Sequence, residues 1–268
     1  MSKKLWINLL SMAVAICAVG TVAMAQEKSL DCNDRWNSGD RAGHCVITEQ
    51  AIATNGSIAV DGKKNGGISI KGWERRDTLV RAKIQTWADN KAEAEAITSQ
   101  IRIETAGGNI HAEGPSISGD QSWAVSYEIF VPVYSNLSLK AHNGGIGISD
   151  VKGQIEFSTT NGGVSLKNLG GSVKGNTKNG GVSVVLSGNR WDGEGLDVMT
   201  TNGGVNMIVP ENYSAHLETG TVNGGLRTDI PMMVQGEIKQ NLSVNLGGGG
   251  ATIRARTTNG GVSIKRKA

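Results

Sequence analysis

The sequence predicts an all-β protein, a β-solenoid or β-helix-like stack of short strands with Asn-Gly-Gly corners and one short helix inserted near residues 90–100. Three observations carry this prediction: one tripeptide recurs, its copies are regularly spaced, and the residues after each copy alternate in polarity. The tripeptide begins at Asn65, Asn143, Asn161, Asn179, Asn202, Asn223 and Asn259.

The spacing of the copies is typical of a repeat architecture. From Asn143 to Asn223 the intervals are 18, 18, 23 and 21 residues, and the last interval of 36 is twice 18. Repeats of this length are typical of stacked supersecondary units. Residues 169–174 contain a further turn and an apolar position, so each repeat has room for a second strand.

The residues after each Asn-Gly-Gly indicate strands. In six of the seven following tripeptides the first and third residues are apolar, a period of two that is typical of a strand with one buried face. We expect the middle residues to face outward, and they are Ser69, Gly147, Ser165, Ser183, Asn206, Arg227 and Ser263.

The Asn-Gly-Gly tripeptide itself is interpreted as a backbone corner. Asn and Gly both tolerate positive φ, so the chain can turn sharply at these residues. Two architectures use such corners. In a β-solenoid, equal periods place each Asn above the last and let the side chains share hydrogen bonds, whereas in an antiparallel meander Asn-Gly marks hairpins. The identical tripeptide at one phase favours the solenoid, because a meander needs no such identity.

The region before the dense repeats is less regular. Residues 78–87 and 122–131 read as long strands, and residues 101–104 as a short one. Residues 90–100, which are rich in Ala and Glu, predict a short helix with Asn90 as its N-cap.

The first residues predict export. Lys3 and Lys4 precede an apolar run through Ala25, and Ala23-Met24-Ala25 has the small-x-small cleavage pattern. An uncleaved membrane anchor is the alternative, since the run approaches spanning length. We therefore expect a signal peptide at 1–25, a polar lead-in with a cysteine pair at 26–50, and a β-strand repeat domain at 51–268. The mature chain is expected to have no transmembrane segment.

Two cysteines, Cys32 and Cys45, remain after the predicted cleavage. An even count in an exported chain favours a disulfide. Zinc is the competing interpretation, but it normally takes four Cys or His ligands and only His44 lies nearby. We expect a disulfide, no metal site and no cofactor.

The charge balance argues against nucleic acid as a partner. The formal net charge of +3 falls to +1 once Lys3 and Lys4 are removed, and nucleic-acid binding normally requires a basic face. A phosphate-binding loop is also unsupported, because its glycines lead into a helix, whereas here Asn-Gly-Gly leads into predicted strands. Repeat-bound calcium is unsupported as well, because residues 144–150 approach the calcium-binding pattern with the Asp one residue late and the other copies lack it.

No catalytic residues are predicted. The outward middle residues form a row of mostly small polar groups, while polysaccharide cleavage needs convergent carboxylates. His44, His111, His142 and His216 have no metal-ligand spacing, and there is no G-x-S-x-G motif. The sequence therefore predicts a protein that is not an enzyme.

One segment interrupts the repeat and is the candidate ligand site. The 23-residue interval contains Trp191, Asp192, Glu194 and Asp197, an aromatic ring with three carboxylates that suits a sugar or a cation. The alternative is that Trp191 caps the local core and the acids are solvated.

Three features carry a family resemblance: the region from Val60 to Trp73, the Leu-Val-Arg-Ala-Lys strand after it and the serial Asn-Gly-Gly units. In these features the chain resembles the bacterial DUF4097 family of adhesin-like proteins with β-strand repeats. The resemblance covers roughly residues 50–265 and implies an envelope-associated or secreted β-solenoid-like protein without catalytic residues to transfer.

The sequence thus predicts a non-catalytic exported protein, located in the periplasm, on the cell surface or in the medium of a bacterium, that serves adhesion or scaffolding through an extended β-repeat surface. The partner classes it leaves open are an envelope glycan and a surface protein. The alternative is a carbohydrate-binding or carbohydrate-cleaving protein with its site around residues 191–197.

Overall fold

The computed structural model describes residues 30–33, 41–53, 55–230 and 240–267. Within these ranges the chain forms 20 β-strands, one α-helix and one 3-10 turn, and the strands form two ten-stranded sheets. The all-β prediction is confirmed at this level. The predicted signal peptide, residues 1–25, lies outside the described residues.

The first sheet, called sheet A, holds every strand that follows an Asn-Gly-Gly corner. In spatial order it contains β1 (Ala42–Ile52), β4 (Thr78–Ala88), β7 (Ser122–Pro132), β3 (Ile68–Trp73), β9 (Ile146–Ser149), β11 (Val164–Lys167), β13 (Val182–Val185), β15 (Val205–Val209), β20 (Val262–Arg266) and β17 (Leu226–Thr228).

The second sheet, called sheet B, holds the strands that lead into those corners. In spatial order it contains β18 (Asn241–Leu246), β16 (Ala215–Asn223), β19 (Thr252–Asn259), β14 (Gly195–Asn202), β12 (Gly170–Asn179), β10 (Lys152–Asn161), β8 (Asn136–Asn143), β2 (Ser57–Asp61), β6 (Asn109–Glu113) and β5 (Arg102–Glu104).

Neighbouring repeats pair in parallel and in register. In sheet B, Asn161 of β10 lies opposite Asn179 of β12, and in sheet A, Val164 of β11 lies opposite Val182 of β13. Among the described strands, antiparallel pairing is confined to β1–β4–β7, β5–β6 and β16–β18. The antiparallel meander considered for the repeats is therefore wrong.

The spatial order of the repeats differs from their order in the chain. The last repeat, β19 and β20, lies between the β14–β15 repeat and the β16–β17 repeat. At the opposite end, the first repeat, β2 and β3, lies between β6–β7 and β8–β9. The last repeat thus fills a gap that the chain leaves at one end, whereas at the other end later strands are added on both sides of the first repeat.

The core lies between the two sheets. Alternate residues of each strand point inward, for example Val173 in β12 and Ile253 in β19, which have no exposed surface. Phe157 fits only because Gly175 lies opposite it in β12: a β-carbon at Gly175 would meet the Phe157 ring at 2.4 Å. The buried residues form one continuous apolar cluster along the stack.

A helix covers this core where β1 and β4 extend the sheet. Helix α1 (Lys91–Ser99) buries Ala94 and Ile97, and the hydroxyl of Thr86 in β4 donates to the Ala94 carbonyl at 2.8 Å. Asn90 caps the helix as predicted, because its Oδ1 accepts from the backbone N–H of Glu93 at 3.0 Å.

The segment expected to be a polar lead-in, residues 26–50, partly belongs to the sheet. Strand β1 begins at Ala42 and pairs along its whole length with β4, so the expected domain boundary at 51 falls inside a strand. Residues 42–52 do not alternate clearly between apolar and polar side chains, because β1 lies at the edge of sheet A. The strand is therefore not evident from the sequence. The disulfide between Cys32 and Cys45 is present and ties the residues before β1 to that strand.

The reason for glycine at the corners differs from the one inferred from the sequence. None of the seven corner asparagines has positive φ, and among the first glycines only Gly260 does, at 158°. Left-handed residues occur instead at the opposite corner, at Asp150 and Asn168. The first glycine is required because the repeats stack closely: a β-carbon at Gly162 would lie 2.1 Å from the carbonyl oxygen of Gly144.

Candidate functional site

A ladder of asparagine side chains joins the seven corners. The Nδ2 of Asn161 donates to Oδ1 of Asn143 at 2.8 Å, and Asn179 donates in the same way to Asn161 at 2.7 Å. The other four steps have the same direction, and the whole ladder runs Asn65, Asn143, Asn161, Asn179, Asn202, Asn259, Asn223. The recurring Asn therefore stabilises the stack.

A second ladder explains the Thr two residues before the Asn. Thr159 Oγ1 donates to the carbonyl of Gly144 at 2.8 Å, and Thr177 donates to Gly162 at the same distance. The equivalent bonds from Thr200, Thr257 and Thr221 continue the series. All five threonines are buried, so each hydroxyl has a corner carbonyl rather than water as its hydrogen-bond partner.

The outer face of sheet A carries the predicted row of small polar residues. Across neighbouring strands Ser165 lies opposite Ser183, Ser183 opposite Asn206, and Asn206 opposite Ser263. Since strands lie about 4.8 Å apart, the row offers a hydroxyl or amide at that interval.

Beside this row runs an open groove of about 830 Å³, called the glycine groove. Its floor consists of the second corner glycines, and its wall is formed by the outward residues of the same strands. The lining includes Gly163, Gly181, Gly204, Gly225, Gly261, Ser165, Ser183, Asn206, Ser263 and Arg227. Among the described residues that line it, there is no carboxylate, histidine or cysteine.

At the β4–β7 end, the same face becomes charged. Glu128 is 3% exposed and forms ion pairs with Arg81 and with Lys71, the latter at 3.1 Å. Arg81 also pairs with Glu49 at 2.7 Å, and these carboxylates raise the pKa of Arg81, with the hydrogen bond to Glu49 as the largest cause. The small polar row thus ends in a neutralised charge network.

The structure separates the four residues of the predicted ligand site. Trp191 is 7% exposed, belongs to the core and donates through Nε1 to the carbonyl of Gly171 at 2.9 Å. Asp192 pairs with Lys152 at 2.8 Å, and this hydrogen bond lowers the pKa of Asp192. Glu194 is exposed. The indole is therefore not presented as a stacking surface, and ligand binding at this loop stays a prediction.

The fourth residue, Asp197, belongs to a different arrangement on the outer face of sheet B. It pairs with Arg254 at 3.0 Å and with Arg256 at 3.4 Å. Arg254 also pairs with Glu218 at 2.6 Å, and that bond lowers the pKa of Glu218. Along the sheet, charges alternate in the order Glu156, Lys174, Asp197, Arg254, Glu218.

Sequence reasoning missed a second aromatic site. Trp87 in β4 and Trp123 in β7 line a pocket of about 450 Å³ together with Asn65 and Asn143. This site can be recognised only once the pairing of β4 with β7 is known, because the two tryptophans are 36 residues apart in the chain.

Within the described ranges, no helix is both long and apolar enough to cross a membrane. No group of three or more His, Cys, Asp or Glu residues in those ranges has a metal-binding arrangement.

Comparison with known proteins gives a family match and several structural likenesses. The sequence matches the family model described as Toastrack DUF4097 over residues 47–265. No curated protein matches it significantly.

Three solved structures show the structural likenesses. A provisionally named cell adhesion protein from Clostridium sporogenes has 13% identity and a TM-score of 0.48, with 84% of this chain and 100% of that chain covered. A provisionally named adhesin from Bacteroides fragilis has 8% identity and a TM-score of 0.30, with 83% and 97% covered. A provisionally named lipid binding protein from Parabacteroides distasonis has 11% identity and a TM-score of 0.34, with 84% and 97% covered. Because all three TM-scores lie below 0.5, the family assignment rests on the sequence match.

Proposed function

The chain belongs to the Toastrack DUF4097 family, and from that premise we propose that it is a non-catalytic, exported envelope protein whose repeats wind as a β-solenoid. It acts as an adhesin or scaffold through the outer face of sheet A. The Cys32–Cys45 disulfide supports a location outside the cytoplasm, since disulfides persist in oxidising compartments.

The glycine groove is the observation that carries the proposal. It crosses five parallel strands, and each strand contributes a glycine floor and an outward residue with hydrogen-bonding capacity. Because the contributing residues repeat once per strand, an extended partner lying along the stack meets the same contact again and again. Individually weak contacts then add up over the length of the groove.

The chemistry of the groove supports binding rather than turnover. Its hydroxyl and amide groups donate and accept hydrogen bonds, and Arg227 at one end adds a positive charge. Its described lining offers no acid–base pair. An extended envelope glycan fits these groups, and a surface protein that presents an extended segment is the other partner class.

Co-sedimentation with insoluble bacterial cell-wall polysaccharide tests the proposal. Ser183→Tyr places a bulky ring in the middle of the glycine groove, and Met199→Tyr places the same ring on the outer face of sheet B, where Met199 is 41% exposed. We expect the parent and Met199→Tyr to sediment equally, and Ser183→Tyr to bind at least about tenfold more weakly, a loss of about 1.4 kcal/mol.

Three results would contradict it. They are the absence of sedimentation by the parent protein, equal sedimentation of all three proteins, and loss of binding in Met199→Tyr. Circular dichroism of both variants shows whether each retains the parent fold.

A further inference from the structure

The asparagine ladder ends at Asn65 with an unused donor. All six hydrogen bonds of the ladder run in one direction, each Nδ2 donating toward the Asn65 end. Asn65 Oδ1 accepts from Asn143 Nδ2 at 3.0 Å. The Nδ2 of Asn65 donates to no residue in the described part of the chain, and the direction of the ladder points it toward β7.

The place of an eighth asparagine is occupied by Ala124. The backbone N–H of Val125 donates to the Asn65 carbonyl at 3.2 Å, just as the N–H of Gly66 donates to the Asn143 carbonyl at 3.3 Å. Val125 therefore occupies the position of a first corner glycine, and Ala124 occupies the position of the corner asparagine. Because a methyl group cannot accept a hydrogen bond, the ladder stops there.

A pocket of about 450 Å³ opens at this point. Ala124, Asn65, Trp87, Trp123, Arg41 and Ser126 contribute to its lining. Its volume lies within the roughly 300–1,000 Å³ that is usual for small-molecule sites. It adjoins the corner glycines Gly67 and Gly145, which precede Gly163 of the glycine groove in the stack.

The lining combines aromatic rings with planar polar groups. Trp87 is partly exposed, and because it pairs with Ser122 it lies on the same face of sheet A as Ser122 and Ala124. Arg41 is held at the rim, where its Nη1 donates to the Asp120 carbonyl at 3.0 Å and to Ser122 Oγ at 3.3 Å. An amphipathic indole beside amide and guanidinium donors suits a ligand with an apolar face and a polar edge, as a sugar ring has.

We propose that this pocket binds an N-acetylated hexosamine of a glycan. The acetamido carbonyl oxygen accepts from Asn65 Nδ2 and so takes the place of the missing eighth asparagine, while the ring stacks on the indole of Trp87. The ligand needs an amide because each step of the ladder is a hydrogen bond between two amide side chains, and the acetamido group is the chemical equivalent of one of them. The inference does not depend on the proposed role of the glycine groove.

Titration with N,N′-diacetylchitobiose, followed by calorimetry and tryptophan fluorescence, tests the inference. This disaccharide is too short to lie along the five strands of the glycine groove. We expect saturable binding to the parent protein, and no binding of cellobiose, which has the same linkage but no acetamido groups.

Two variants locate the site. Ala124→Asn supplies the eighth asparagine as the acceptor for Asn65 Nδ2 and narrows the pocket, so we expect a dissociation constant at least about tenfold higher and a melting temperature no lower than that of the parent. Asn65→Asp keeps an oxygen for Asn143 Nδ2 but removes the donor, and we expect a similar loss of affinity. Met199→Asn adds the same side chain on the outer face of sheet B, where Met199 is exposed, and should leave the affinity unchanged.

The inference is wrong if the parent does not bind diacetylchitobiose, or if cellobiose binds equally well. It is also wrong if Ala124→Asn and Asn65→Asp, both folded by circular dichroism, bind as the parent does, or if Met199→Asn loses as much affinity as they do. Binding by the parent without co-sedimentation on polysaccharide would leave this inference standing and contradict only the proposed function of the groove.

Discussion

Gly162 stacks on Gly144 so closely that a β-carbon at Gly162 would lie 2.1 Å from the Gly144 carbonyl oxygen. The same relationship recurs along the stack, between Gly180 and Gly162 and between Gly203 and Gly180. The second glycine of a corner is not packed as closely as the first. A β-carbon at Gly163 would lie 3.6 Å from the Gly181 carbonyl, an ordinary contact distance.

We therefore expect Gly162→Ala to destabilise the fold by about 3 kcal/mol, because two stacked backbones must separate. Gly163→Ala, one residue later, should change the free energy of unfolding by less than about 1 kcal/mol. Urea denaturation followed by circular dichroism measures both. Equal effects of the two substitutions would contradict the close stacking of the first glycines.

The threonine ladder predicts a loss of folding stability that depends on a single hydroxyl group. Thr177→Val keeps the shape of the side chain but removes the donor to the Gly162 carbonyl, which costs about 1–3 kcal/mol when the carbonyl stays buried. Thr177→Ser retains the donor and should lose less. The neighbouring Thr160→Val, at a partly exposed position without such a bond among the described contacts, serves as the control. Thermal denaturation ranks the three variants, and an equal loss in Thr177→Val and Thr160→Val would refute the role of the hydroxyl.

The disulfide predicts a dependence on redox conditions. Cys32 and Cys45 are separated by 13 residues, and closing such a loop stabilises the folded state by about 3 kcal/mol in the chain-entropy model. The double variant Cys32→Ser, Cys45→Ser should therefore melt at a lower temperature than the oxidised parent. Reductant should lower the melting temperature of the parent but not that of the double variant. A parent unaffected by reductant would speak against this stabilisation.

The charge row of sheet B predicts a dependence of stability on pH. The hydrogen bond from Arg254 holds the pKa of Glu218 below its ordinary value of 4.5. Because the folded state favours the charged carboxylate, the stabilisation is present above pH 4.5 and is lost as the pH falls through the lowered pKa. Denaturation at neutral and acidic pH should show a smaller acid-induced loss for Arg254→Gln than for the parent. An identical loss in the two proteins would argue against this contribution.

Much of the repeat could be predicted from the sequence because it is encoded locally. Each Asn-Gly-Gly is followed by a strand of sheet A, and the inward residues are those of the apolar pattern, as in Val164 and Leu166. The helix after Asn90 was predictable for the same reason, since its cap lies beside it in the chain.

The spatial order of the repeats could not be predicted in this way. Asn259 stands between Asn202 and Asn223 in the ladder, although it follows both in the chain. Every corner presents the same donor and acceptor to its neighbours, so the local sequence does not determine which repeat lies beside which. The buried position of Trp191 and the pocket at Trp87 likewise depend on contacts between distant segments.

Hydrogen–deuterium exchange of the protein, with and without soluble fragments of bacterial cell-wall polysaccharide, tests the central claim most directly. The account predicts slower exchange in the Asn-Gly-Gly corners and in β11, β13, β15 and β20, whose residues line the glycine groove. Protection confined to residues 186–197, with the groove strands unchanged, would place binding at the interrupted repeat and contradict the claim.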